Sequence, residues 1–531
     1  MKLNNEQRLL ILVKNNEFNI LVLAPNFIEK WHKLELACKE NLSINALAAY
    51  LLDKGYNVTT INAQFENWDN NQVLEKVRDI SFDFIAVSCS PQKLYPSSKD
   101  FIKKARKQYP KACIVIGGVF PSLSYEDILR DLPEVDFVST GEGEIALEKI
   151  CHYVQHKLES LDEIPGLAYR DNAAIRINEA KRILDLDILP FPIRDQRTFG
   201  NVIGRYANVV AGRGCYGNCS FCSIHSAYEY RRRICRSPKN VADEIELLIK
   251  SYGVEFIQFH DDIFYDYSTQ SQKWLHEFIS EIKNRCLKFK FRIYLRPNDV
   301  REKELLELKE VGLDTVFIGI ESGVQRVLDE MRKGITVAQA EESIKILQNV
   351  GINVKIGFIT IVPTMTFNEL RENYDFLYRI GSDNDANFHN RLNIYNGCYY
   401  ETILRSQGLL TEKENFWDIH KYTFKDPKVK MYHDYLQIVK EYGKQFKHMA
   451  NSIVVTYGQK YSNRVNDIVA STWTEITKEL MKFVGGMRSD ELVDESKIMF
   501  IEQYFDENIA KLIMLKNEID FHLQKSNVNH I

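Results

Sequence analysis

Short apolar runs alternate with stretches of helical period along the first third of the chain. Phe18 to Leu23, Asn57 to Ile61, Phe84 to Ser88, Ala112 to Ile116 and Asp136 to Ser139 read as strands. Ile44 to Lys54, stopped by Gly55, and Ser97 to Gln108 read as helices between them. Apolar strands separated by helices predict an α/β unit over residues 17–155, a doubly wound, Rossmann-like parallel sheet. Residues 156–206 form a connector: a hairpin-like piece from Tyr169 to Ile177, then a Leu-Asp-Ile-Leu-Pro-Phe-Pro run whose prolines favour extended chain. Alternation resumes over 207–400. Six strand candidates stand there: Ala207 to Val210, Phe256 to Phe259, Phe289 to Tyr294, Thr315 to Ile320, Asn353 to Thr360 and Asn387 to Tyr395. Residues 401–531 show mostly helical periods, as in Val439-Tyr442-Phe446-Met449.

Composition narrows the class. At 531 residues the chain exceeds one ordinary domain. Hydrophobic residues at 45% and charged residues at 27% describe a globular protein, and a net charge of −4 offers no basic footprint for nucleic acid. No apolar run reaches membrane-spanning length, so no membrane partner is expected. The run Leu9 to Val13 is followed by Lys14-Asn15-Asn16-Glu17 rather than a small-residue cleavage site. The expected location is the cytoplasm.

The chemistry concentrates in Ala211-Gly212-Arg213-Gly214-Cys215-Tyr216-Gly217-Asn218-Cys219-Ser220-Phe221-Cys222. Three thiolates in C-x3-C-x2-C spacing suit three irons of a [4Fe–4S] cluster and leave a fourth iron open. Zinc is the competing reading, though it usually takes four protein ligands and no second cysteine pair follows. The remaining cysteines are scattered, mostly in apolar contexts, and read as small hydrophobes. Ser88, Gly117-Gly118-Val119-Phe120 and Gly141-Glu142-Gly143 all lie at strand ends of the first unit, where such sheets bind ligands and glycine permits close approach.

C-x3-C-x-aromatic-C, with Phe221 as the aromatic, resembles the signature of the radical S-adenosylmethionine (SAM) enzymes. The text from Arg236-Ser237-Pro238 to Asp261-Asp262-Ile263-Phe264, with V-x-G-G-x-x-P and G-E-G-E upstream, is similar to the cobalamin-binding branch of that family. The resemblance covers roughly residues 17–400. It implies a partial (β/α)6 barrel, a cluster on Cys215, Cys219 and Cys222, and a SAM site at the barrel strand ends. Phe221, Asp261, Asp262, Arg296, Glu321, Ser322 and Gly357 are the expected SAM contacts. Ser88, Gly117, Gly118, Val119, Phe120, Gly141, Glu142 and Gly143 are the expected cobalamin contacts. The D-x-H-x-x-G motif that supplies a cobalt ligand elsewhere is absent, and His32 lacks its aspartate and glycine, so base-off cobalamin without a histidine ligand is expected.

What the resemblance implies in function is methylation of an unactivated carbon on a small natural-product intermediate or a peptide. A 5′-deoxyadenosyl radical would open the C–H bond and methylcobalamin would supply the methyl group. The electron would come from a donor such as flavodoxin or ferredoxin. Two other readings remain: a cobalamin-dependent cyclase or ring-rearranging enzyme without methyl transfer, and a non-catalytic cobalamin-binding regulatory or carrier protein. The loops Ile361-Val362-Pro363-Thr364-Met365-Thr366 and Asn396-Gly397-Cys398-Tyr399-Tyr400 depart from the family pattern and are expected on the substrate side.

Overall fold

The computed structural model describes residues 10–12, 17–27, 40–156, 160–195, 206–228, 231–382, 385–457 and 461–528. His32 lies outside them. The first unit is built on a sheet of eight strands, β1 (Leu10–Leu12), β2 (Asn19–Ala24), β3 (Asn57–Asn62), β4 (Phe84–Ser88), β5 (Cys113–Gly117), β6 (Phe137–Ser139), β7 (Leu167–Asp171) and β8 (Ala174–Ile177). Their order is β1-β3-β2-β4-β5-β6-β7-β8. The five central strands are parallel, because the helices joining them carry the chain back across a face. Both faces are covered: Leu21, Ile85 and Ile114 pack on one side, and Val22, Ala86 and Val115 on the other. That double burial is why these strands read as continuous apolar runs.

The expected connector hairpin is not free-standing. β7 runs antiparallel to β6, pairing Ala168 with Val138, so the hairpin extends the first sheet.

The second sheet contains β9 (Tyr206–Val209), β12 (Phe256–Phe259), β13 (Lys290–Leu295), β14 (Leu313–Glu321) and β15 (Asn353–Phe358), all parallel in that order. A two-stranded ribbon of β10 (Gly212–Arg213) and β11 (Ile234–Cys235) follows β9. Here the alternation is one-sided. Ile257, Phe259, Phe291, Ile293, Val316 and Ile318 enter the core under the helices. Gln258, Arg292, Tyr294, Phe317 and Gly357 are half-buried and line the concave side, the lumen of an open barrel.

Among the described residues the sheet has five strands, one fewer than expected. Asn387 to Tyr395 starts as a 3-10 turn (Asp385–Phe388) and touches the sheet through one bridge, Ile361 to Arg391. Four asparagines in 387–396 bias the run toward turns, and Asn390 Nδ2 donates to Phe358 O at 3.1 Å.

The C-terminal region is helical as expected, with long helices Pro427–Tyr457, Ser462–Gly486 and Phe500–Val528. Trp473 and Phe446 meet Phe505 at the helix junction, and Tyr432 packs on Tyr374 of the barrel. No described helix is long and apolar enough to cross a membrane.

Candidate cofactor sites at the domain seam

The strand β9 ends one residue before the cysteine loop, so the loop starts at the carboxyl end of the barrel. Asp261 and Asp262, just past β12, hold it there. Asp261 accepts a hydrogen bond from Ala211 N at 2.8 Å and pairs with Arg233 at 3.1 Å. Burial pushes its carboxyl up to about 6, against the pull of Arg233. Asp262 Oδ2 accepts from Gly214 N at 2.8 Å. Gly214 has φ +87°, and a Cβ there would sit 2.5 Å from Arg232 O, so the turn needs glycine.

The far end of the loop is clamped to the turn after β14. Ser220 N donates to Met331 O at 2.9 Å, and Tyr400 N donates to Ser220 O at 2.7 Å. The three thiols are half-buried, and burial drives Cys222 up to about 12 and Cys215 in the same direction. Binding of iron would therefore have to displace protons. Arg296 Nη1 stands 3.1 Å from Cys219 Sγ, and Gly217 N donates to Cys215 Sγ at 3.3 Å. Among the described residues no three His, Cys, Asp or Glu side chains converge on a single ion.

A cavity of about 440 Å³ lies between this loop and the first sheet. Ser88, Gly117, Gly118, Val119, Gly141, Glu142 and Gly143 line it from one side; Gly212, Arg213, Gly214, His260 and Asp262 line it from the other. The position is the crevice beyond the carboxyl ends of β4, β5 and β6, beside β2, where the strand order reverses. Gly118 has φ +121°, and a Cβ there would meet Cys89 and Ser90 backbone at 3.0 Å. A bulky planar ligand fits this glycine-walled floor.

Several expected contacts are placed otherwise. Phe120 is buried against Tyr95 and Phe416, its side chain in the core rather than on the cavity. Ser322 is fully buried, donates to Asn373 Oδ1 at 2.9 Å and accepts from Val324 N; it closes a turn and is not open to SAM. Arg296 meets Cys219 and the carbonyl of Lys333, which ties it to the cysteine loop. Glu321 is paired with Lys333 at 2.9 Å. Gly357 faces the lumen opposite Gly319, and Phe221 packs on the barrel core.

Several residues of the two departing loops make contacts within the protein. Thr364 and Tyr400 are buried together on Glu330. Asn396 bonds Gln92 and Ser124 of the first unit, and Gly397 lies against Leu123. Cys398 is buried.

Ion pairs cross the seam. Arg213, inside the cysteine loop, donates to Glu144 at 2.6 Å and lies 3.6 Å from Glu142, whose carboxylate also holds Ile183 N. Arg194 joins Glu40 and Glu244 at 2.5 Å each, and Glu244 also pairs with Arg236. The signal was present as opposite charges in two glycine loops, but nothing local says they meet.

The radical SAM superfamily model matches residues 209–377, and the B12 binding domain model matches residues 37–151. The chain is similar to an uncharacterised methyltransferase of Pyrococcus horikoshii, 27% identical over 393 residues, covering 73% of this chain and 83% of the relative. It is also similar to an anaerobic magnesium-protoporphyrin IX monomethyl ester cyclase of Cereibacter sphaeroides, 28% identical over 382 residues, covering 70% of this chain and 60% of the cyclase. Among solved structures, the cobalamin-dependent SAM radical enzyme OxsB, with aqua-cobalamin and SAM bound, superposes with TM-score 0.77 at 18% identity, over 96% of this chain and 81% of that one. The radical SAM methyltransferase TsrM from Kitasatospora setae gives 0.57 at 17%, over 69% and 73%. At these identities the structural likeness speaks for the fold.

Proposed function

Starting from a chain that belongs to the radical SAM superfamily and carries a B12-binding domain, we propose that it methylates an unactivated carbon of a small natural-product intermediate or a peptide. The observation that supports this is the shared cavity, which puts the glycine floor of the first sheet and the cysteine loop of the barrel on opposite walls of one chamber. When bound, the cluster, SAM and cobalamin together supply a one-electron reductant, an alkyl radical and a methyl donor. A C–H bond without acidity cannot be opened by a side-chain base, so radical chemistry is what such a substrate needs.

The chain's own residues do the rest. Cys215, Cys219 and Cys222 would hold the cluster. The Arg296 guanidinium beside Cys219 Sγ favours added negative charge there, and hydrogen bonds to cluster sulfur are a recognised control of potential. Asp261 and Asp262 fix the entry to the loop by its amide groups. Asp262, Glu321 and Gly357 would contact SAM. Ser88, Gly117, Gly118, Val119, Gly141, Glu142 and Gly143 would hold cobalamin. His260, which belongs to the barrel, lines the cavity and is bonded to Asn208 at 2.9 Å; the binding proposed is base-off, without a histidine ligand. A flavodoxin- or ferredoxin-type protein would deliver the electron.

The test is anaerobic reconstitution with iron, sulfide and cobalamin, then SAM and a low-potential reductant without substrate. S-adenosylhomocysteine formed alongside an alkylated-cobalamin spectrum is expected. 5′-Deoxyadenosine without S-adenosylhomocysteine would overturn methylation and favour a reaction of the cyclase kind, which the similarity to the porphyrin cyclase makes the second reading.

A further inference from the structure

The barrel lumen holds a guanidinium without a counter-ion. Arg292 projects from the concave side of β13, in register with Gln258 of β12 and Thr315 of β14. Its Nε is buried with no hydrogen-bond partner, and the Arg292 side chain makes no hydrogen bond or ion pair among the described residues. Arg194, Arg213, Arg233 and Arg236 are each matched to a carboxylate, and Arg296 bonds Cys219 and a carbonyl. A buried guanidinium N–H costs solvation that protein or ligand acceptors normally restore.

Its surroundings fix its position without satisfying it. The guanidinium carbon lies 5.2 Å from the Tyr294 ring centre and 5.4 Å from that of Phe317, and these two rings are 5.2 Å apart. Such stacking orients the planar fork while leaving its edge donors open. The neighbouring polar groups satisfy one another instead: Tyr206 O–H donates to Gln258, whose Nε2 donates to Tyr294 at 2.9 Å. On the next strand Lys355 stands in register with Phe317, adding a second cation to the same part of the lumen. The carboxylate at the upper rim, Glu321, is already paired with Lys333.

Above this layer lie the Phe317 ring, over Gly357, and the Glu321–Lys333 pair, over Gly319. Gly319 and Gly357 face each other in register on β14 and β15, and neither contributes a side chain of its own to the lumen. Arg296, at the cysteine loop, stands one residue past the end of β13 and four past Arg292, a rise of ~13 Å. We propose that Arg292 anchors an oxyanion of the substrate, a carboxylate or a phosphate, at the floor of the lumen, with the reacting carbon extending toward the cysteine loop. This rests on the reading of the barrel as a radical SAM catalytic chamber, and it adds that the substrate is an anion one small molecule long.

Equilibrium dialysis of the full chain, purified anaerobically, tests it with inorganic phosphate and acetate as probes. No SAM turnover is involved, so the outcome is independent of whether methyl transfer occurs. The parent chain is expected to bind one equivalent of an anion, with R292Q at least tenfold weaker and R292K several-fold weaker. R292K keeps the charge but loses the bidentate fork, and it reads the same site should R292Q fold poorly; unchanged melting temperature validates either variant. Phosphate tighter than acetate assigns a phosphorylated substrate, and the reverse assigns a carboxylate. No saturable anion binding, or binding equal in all three chains, would overturn the assignment.

Discussion

Replacing Arg194 by Met removes one charge from a buried group of four while keeping most of the aliphatic stem. Glu244 would retain Arg236, but Glu40 would lose its only ion-pair partner among the described residues, and its side chain is just 3% exposed. Removing one member of a buried pair costs roughly 3–5 kcal/mol, and with Glu244 still paired the lower end, about 3 kcal/mol, is expected. Burial already pushes the Glu40 carboxyl above its ordinary value, with Arg194 opposing it. Without Arg194 it rises further. A carboxyl raised in the folded state favours folding fully below its unfolded pKa, and that contribution is lost as pH rises through the folded value. The deficit of R194M is therefore largest at neutral pH and shrinks on acidification. Urea unfolding followed by circular dichroism and by tryptophan fluorescence measures it, and coincident curves show whether both sheets unfold together. E40Q combined with R194M is expected to recover more than half of the loss. A neutral-pH deficit under about 1 kcal/mol, or one that does not change on acidification, would refute the account.

Two further outcomes follow from the same geometry. In G217A the new Cβ would lie 2.4 Å from Arg296 Nη1 and 3.0 Å from its guanidinium carbon, forcing Arg296 away from Cys219; lower iron retention after anaerobic reconstitution is expected, measured per chain by iron assay. Glu401 is held at about 2, chiefly by its hydrogen bond with His420. Its stabilising effect is complete above the ordinary carboxylate value and fades as pH falls toward 2, so E401Q should flatten the acid limb of a melting-temperature profile.

The strands of the first sheet could be read from the sequence because both faces are buried, leaving uninterrupted apolar runs such as Phe84 to Ser88. The barrel strands could be read from alternation. What escaped depends on partners far apart in the chain. Ser322 looks like any polar residue at a strand end until Asn373, 51 positions on, claims it. Arg213 and Glu144 carry opposite charges in separate loops, 69 positions apart, and only folding makes them a pair. The sixth strand failed for a local reason, since asparagine side chains compete for backbone groups. Asn396 and Gly397 meet Gln92 and Leu123 of the first unit, some 270 or more positions away, which no local pattern announces.

The hairpin of β7 and β8 also sets where this protein can be cut and recombined. A piece ending near residue 155 would leave β6 as a bare edge, three residues of unpaired backbone flanked by apolar side chains. Such an edge invites self-association. A transplantable module therefore runs through Ile177, and exchanges of the front half between homologous proteins should carry the hairpin with it.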